Sequence, residues 1–122
     1  MGSRGGRQVL ASEEEVRAVL QVMRDLRHSA ARLAAFRGLL HRCLLSSAQV
    51  LALLRGLRYE HEVSEMLHEA APKVSDPYNL HVLVQAVTSP TYRARAARLL
   101  ARLSKRSRED LARDSAAGVW KR

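Results

Sequence analysis

The sequence predicts an all-α fold of about six helices in three stacked antiparallel hairpins, on three observations. Leu, Ala and Arg dominate, aromatic residues make up 4% and prolines number three, a composition that favours helix over sheet. Apolar residues recur at spacings of three and four, the period of one helix face. A polar cap followed by the same apolar spacing also occurs three times. Ser12 precedes Val16, Val19, Leu20 and Met23; Ser46 precedes Val50, Leu53, Leu54 and Leu57; Ser75-Asp76-Pro77 precedes Leu80, Leu83, Val84 and Val87. A shift of 34 residues superimposes the first copy on the second, and a further shift of about 30 reaches the third.

Each element has its own start and stop signals. Residues 1–10 are Gly-rich and basic, which predicts a flexible arm. Ser12 and Glu15 form a capping box for a first helix over about Glu13 to Arg27, with Glu13 to Glu15 at the positive end of its dipole. Ser29 reads as the cap of a second helix that carries Leu33, Phe36, Leu39, Leu40 and Cys43. Ser46 with Gln49 repeats the capping box for a third helix, and Gly56 near its end leads through Tyr59 into a fourth. That fourth helix turns Val63, Met66 and Leu67 inward and Glu60, Glu62, Glu65 and Glu69 toward water, and Pro72 stops it. Asp76-Pro77 and Ser89-Pro90, each a cap followed by proline at the first helical position, open a fifth helix to about Val87 and a sixth to about Leu103. The domain is then 11–104, and residues 105–122 form a basic tail, partly helical or disordered. A hairpin of 30 to 34 residues cannot bury its apolar face alone, so neighbours must dock. The Trp, Gly and Tyr signature of tetratricopeptide repeats and the Thr-Pro-Leu-His element of ankyrin repeats are both missing.

At 122 residues the chain is long enough for one core without disulfides. The single Cys43 has no partner within the chain, and no signal-peptide run or span of roughly 20 apolar residues occurs. These features place the chain in a reducing compartment, nucleus or cytoplasm, with no membrane contact. Met1-Gly2 lacks the downstream Ser or Thr of a myristoylation signal, having Gly6 there. The net charge of +9 is uneven: residues 1–44 hold eight basic and four acidic side chains, residues 45–90 three and five, and residues 91–122 ten and three.

Read together, Leu45 to Glu60 (with Gln49-Val50, Leu53-Leu54, Leu57 and Tyr59-Glu60) and Val74-Ser-Asp76-Pro77-Tyr-Asn79 resemble the uncharacterised helical domain of the proline- and serine-rich nuclear protein family. Related copies occur in bacterial proteins of no known activity. The resemblance covers about Glu13 to Leu103 and rests on caps and core positions. It implies a protein-binding module, attached in some members to chromatin-regulatory machinery, and it brings no catalytic residues. The long proline- and serine-rich extension of the nuclear family is missing from this sequence.

Candidate chemistry is sparse. His61-Glu62-Val-Ser-Glu65 begins like a zincin motif, but Glu65 stands where the second metal-binding His belongs. His61, Glu65 and His68 share a helix face, and a metal there needs further ligands that the sequence does not supply, so the expectation is no metal and no cofactor. Cys43 lies near His41, yet adjacency along a helix does not orient a base, and the cysteine reads as core. No glycine-rich phosphate loop is present, so a non-enzymatic chain is expected.

The strongest feature is a basic stripe. On a helix from Pro90, Arg95, Arg98, Arg102, Lys105 and Arg106 project within about a third of the circumference, while Ala96, Ala97, Leu100 and Leu103 face away. Trp120, followed by Lys121 and Arg122, is a candidate partner anchor. The expected site is the groove between the fifth and sixth helices with this basic edge, and the expected partner is a protein with an acidic amphipathic segment. The alternative is weak non-specific nucleic-acid binding, since no aromatic residues interleave the cations to stack on bases.

Overall fold

The computed structural model describes residues 9–120, with the side chains at 107, 110, 111 and 113–120 outside the description. The arm residues 1–8 and the side chain of Trp120 therefore fall outside the described residues. Among the described residues there are six helices: α1 (Glu13–Asp25), α2 (Ser29–Arg42), α3 (Ser47–Leu54), α4 (Glu60–Ala70), a ten-residue 3₁₀ helix (Pro77–Ala86) and α5 (Pro90–Trp120). A single 3₁₀ turn, Ala71–Lys73, follows α4 where Pro72 ends it. The fold is all-α.

The three repeats start side by side. Ala11 N–H donates to the Leu44 carbonyl at 2.9 Å, Leu44 N–H donates to the Val9 carbonyl at 3.0 Å, and Ser75 N–H donates to the Leu45 carbonyl at 2.9 Å. These short extended segments lie parallel, Leu10 beside Leu44 and Leu45 beside Val74, so each helix that follows leaves the same edge in the same direction. Ser12 and Ser46 both make the predicted capping boxes, with Glu15 and Gln49 as reciprocal partners.

The caps also tie neighbouring repeats together. Gln49 Nε2 donates to the Ala11 carbonyl at 2.7 Å, linking the second repeat to the first. Asp76 Oδ1 accepts from Ser47 N–H at 2.6 Å and from Ser47 Oγ at 2.9 Å, linking the third to the second. Burial alone would raise the Asp76 carboxyl, but the bonds from Ser47 and Asn79 outweigh it and hold it below the usual carboxylate range.

The apolar positions of the repeat explain the core. In the second copy Val50, Leu53, Leu54 and Leu57 are all buried, because neighbours lie on both sides. In the first copy Val19 and Leu20 are half-buried, and in the third Val84 is half-buried while Leu80, Leu83 and Val87 are buried. Gly56 allows the first two copies to meet closely: a Cβ there would stand 2.6 Å from Leu20 Cδ2 and 3.2 Å from the Leu53 carbonyl.

Several local expectations are corrected. α2 begins at Ser29 rather than being capped by it, and the Ser29 hydroxyl donates to Glu62. The fifth helix is 3₁₀ rather than α: Asp76 directs its carboxylate to Ser47 and the Asn79 amide, and Asn79 N–H bonds the Asp76 carbonyl three residues back. With three residues per turn, Leu80 and Leu83 fall on one buried row and Tyr78, His81 and Val84 on another that opens outward. α3 packs chiefly against this 3₁₀ helix, which packs in turn against α5. α5 does not stop near Leu103 but continues to Trp120, and beyond Leu103 none of its described side chains is buried.

The largest departure lies in α4. Glu62 is wholly buried instead of facing water, and its carboxylate meets Arg32 Nη2 at 2.5 Å with both side chains fully excluded from solvent. Glu62 Oε1 accepts from the N–H groups of Arg58 and Tyr59 at 3.0 and 3.2 Å. Arg32 Nη1 in turn donates to the carbonyls of Leu26 and Arg27 at 3.1 and 3.0 Å. One buried pair thus ties the α1–α2 turn to the start of α4. Glu65 and Glu69 both bind Arg37 of α2, and Glu60 holds the turn before α5 through Thr88 and Ser89.

Candidate functional site

The third repeat has no further repeat packed on it among the described residues, and that open side forms a groove. Of the row Tyr78, His81 and Val84, the last two make one wall and Ala97, Ala101 and Ser104 of α5 make the other, with Leu100 beneath and Tyr78 further along the row, outside the lining. The depression at its centre is about 240 Å³ and mostly apolar. Small side chains on α5 keep the groove accessible. Ala97 is exposed here, not turned away from solvent as its place opposite the stripe implied. Tyr78 stands 79% exposed at the end of its row, an apolar body with a polar tip.

Arg95, Arg98, Arg102, Lys105 and Arg106 are all exposed on α5 and form a ridge along one side of the groove. Arg95 lies over the Tyr92 ring, 5.9 Å from its centroid. Among the described residues no ion pair engages any of the five, since the ion pairs present use Arg32 and Arg37. Trp120 occupies the last turn of α5, about 20 Å along the helix axis from Arg106 at 1.5 Å per residue. Nothing in the described part brings it to the groove.

Two further cations, Arg93 and Arg108, are exposed on the helix face that carries Ala97, Ala101 and Ser104. Sequence reasoning passed over both because they lie outside the tight arc of the stripe. The 3₁₀ row was also missed: under an α period Tyr78, His81 and Val84 do not align, and only the tighter turn brings them together.

The other candidates are dispersed among structural partners. Glu65 is held by Arg37, His68 Nδ1 sits 2.8 Å from the Ser64 carbonyl, and His61 stacks on Tyr59 with centroids 5.7 Å apart. Among the described residues no three His, Cys, Asp or Glu side chains converge on a possible metal position. Cys43 ends α2 half-buried, with burial and the nearby Glu15 carboxylate pushing its thiol upward, the opposite of nucleophile activation. Among the described residues no helix is long and apolar enough to cross a membrane.

Residues 10–100 match the model of a protein family described as a domain of unknown function, DUF4476. The chain belongs to this family. The match spans the capped repeats and reaches Leu100, so Ala101 and Ser104 of the groove wall and the outer part of the α5 ridge, Arg102 to Arg106, lie beyond the DUF4476 segment. It carries no link to the proline- and serine-rich nuclear proteins. Neither a curated protein nor a solved structure shows a match to this DUF4476 chain.

Proposed function

We propose that the chain is a non-enzymatic binding module that receives an acidic amphipathic segment of a protein partner at the groove between the 3₁₀ helix and α5. The observation that carries this reading is the adjacency of an open apolar depression and a ridge of cations without ion-pair partners among the described residues. Apolar side chains of the partner bury in the groove, and its carboxylates pair with the guanidinium groups of Arg98 and Arg102, where bidentate geometry is available. Arg95, Lys105 and Arg106 extend the positive field that draws an acidic partner in. Trp120 is a second contact further along α5.

The test is a titration of a labelled acidic amphipathic peptide, followed by fluorescence anisotropy, against the wild-type chain and the variant Arg98→Glu/Arg102→Glu. Each lost charge-assisted contact is worth about 1.5–3 kcal/mol, so the double reversal weakens binding by at least roughly a hundredfold with helical content unchanged by circular dichroism. Unchanged affinity would refute the site. Tighter binding to random-sequence duplex DNA, falling steeply with salt, would replace a protein partner with nucleic acid.

A further inference from the structure

A second depression, lined mainly by apolar side chains but with nearly half its surface polar, lies on the opposite flank of α5. Pro72 of the 3₁₀ turn, Val74, Pro77 and Leu80 form a cup of about 230 Å³ that Leu103 closes, with Arg106 at its lip. The cup and the groove overlap along α5 at Leu103 and Ser104, the groove running back through Ala101 to Ala97 and the cup on to Arg106. At 100° per residue, Ala101 and Ser104 turn to one side of the ridge and Leu103 and Arg106 to the other, with Arg102 and Lys105 on the crest between them. The order across the helix is therefore an apolar groove, a cationic crest, and a cup of apolar side chains with a partly polar surface.

Resting on the function proposed above, we infer that the partner segment crosses α5 in extended form, one apolar side chain in the groove, a second in the cup, and carboxylates between them on Arg102 and Lys105. Charge complementarity sets the middle of this segment, and the two depressions set its ends. A helix is about 10–12 Å across, so the anchors must be separated by on the order of 13–17 Å over the crest. An extended chain reaches that range in four residues at about 3.3 Å each, and the even count turns both anchors to the same face. A helical segment advances only about 6 Å over four residues and cannot reach both depressions with the same spacing.

Four fluorescein-labelled peptides test this against the unmodified full chain by anisotropy at fixed salt. The first carries two leucines four positions apart with Asp and Glu between them. The second and third each have one leucine replaced by Ser. The fourth is an alanine-based helical peptide with its leucines four residues apart and the same number of carboxylates. The two-leucine extended peptide binds about tenfold tighter than either single-leucine form, the affinity expected from burying one leucine side chain, and tighter than the helical peptide. Ala101→Glu and Pro72→Glu, both at exposed positions, each reduce it to the single-leucine level, with circular dichroism reporting the fold. Equal binding of one- and two-leucine peptides, or preference for the helical peptide, overturns the crossing while the Arg98/Arg102 dependence still upholds the groove. Failure of every peptide to bind overturns both.

Discussion

Replacing Glu62 by Ala removes a carboxylate that answers four donors, the Ser29 hydroxyl, Arg32 Nη2 and the N–H groups of Arg58 and Tyr59. The Arg32 guanidinium left behind is fully buried. It retains the Leu26 and Arg27 carbonyls but no counter-charge, and its Nε already has no hydrogen-bond partner. Breaking one half of a buried pair costs about 3–5 kcal/mol, a large part of the roughly 5–15 kcal/mol that holds a domain together. Urea unfolding followed by circular dichroism should show the midpoint falling by on the order of 2 M at a typical m-value. Arg32→Met costs a similar amount by stranding the carboxylate instead. The double variant Arg32→Met/Glu62→Leu removes both charges together and should lie within about 2 kcal/mol of wild type, because desolvation of the pair is lost along with its attraction. A loss below about 1 kcal/mol for Glu62→Ala would refute this account. So would single effects that sum to the double within about 0.5 kcal/mol, since that is the behaviour of uncoupled residues.

The same carboxylate makes stability acid-sensitive. Burial raises the Glu62 carboxyl, but the bonds from Ser29, Arg32, Arg58 and Tyr59 prevail and lower it from 4.5 to about 2. The folded state therefore binds fewer protons than the unfolded one: the contribution is complete above about pH 5 and lost as pH falls toward 2. The amount is roughly 3 kcal/mol at 1.36 kcal/mol per pH unit, and Glu62→Gln should flatten that part of the stability–pH curve measured by urea unfolding. The inter-repeat ties predict an asymmetry between equivalent positions. Gln49→Glu replaces the donor to the Ala11 carbonyl with a buried charge and should cost about 1–3 kcal/mol. Glu15→Gln keeps its capping box and should change the thermal midpoint by no more than a few degrees.

What the sequence made legible was periodic or local. The capping boxes at Ser12 and Ser46, the proline starts at Pro77 and Pro90 and the buried positions Val50, Leu53 and Leu54 depend on residues within one turn of each other. The sequence directs Glu62 to water, because it shares a helix with Glu60, Glu65 and Glu69 and a charged side chain facing solvent is the usual arrangement. Its burial depends on Arg32, thirty residues away, and no short-range pattern carries that pairing. The 3₁₀ geometry at 77–86 was hidden for a related reason. Leu80, Leu83, Val84 and Val87 satisfy an α period, and the choice is tipped by Asp76, whose carboxylate is drawn across to Ser47 of the preceding repeat. The groove itself was foreseeable as a boundary between two helices, but its walls follow from the tighter turn.

These pairings also explain where the positive field is concentrated. Of the carboxylates in residues 45–90, Glu62 answers Arg32, Glu65 and Glu69 share Arg37, Glu60 holds Thr88 and Ser89, and Asp76 holds Ser47. Each is engaged within the fold, and all five reach from one element to another. The basic residues Arg32 and Arg37 of α2 answer Glu62, Glu65 and Glu69, so among the described acids of residues 45–90 only Glu60 and Asp76 keep a charge without a cationic partner, each bonded to neutral groups. On the outer face of α5 only Glu109, among the described side chains, interrupts the run of cations. Charges buried or paired within a fold contribute little to the distant field, whereas exposed like charges on one helix add within a Debye length of about 8 Å at physiological salt. The positive field is thereby concentrated along α5 beside the groove, and the pairs that stabilise the first two repeats leave it in place for the partner proposed above.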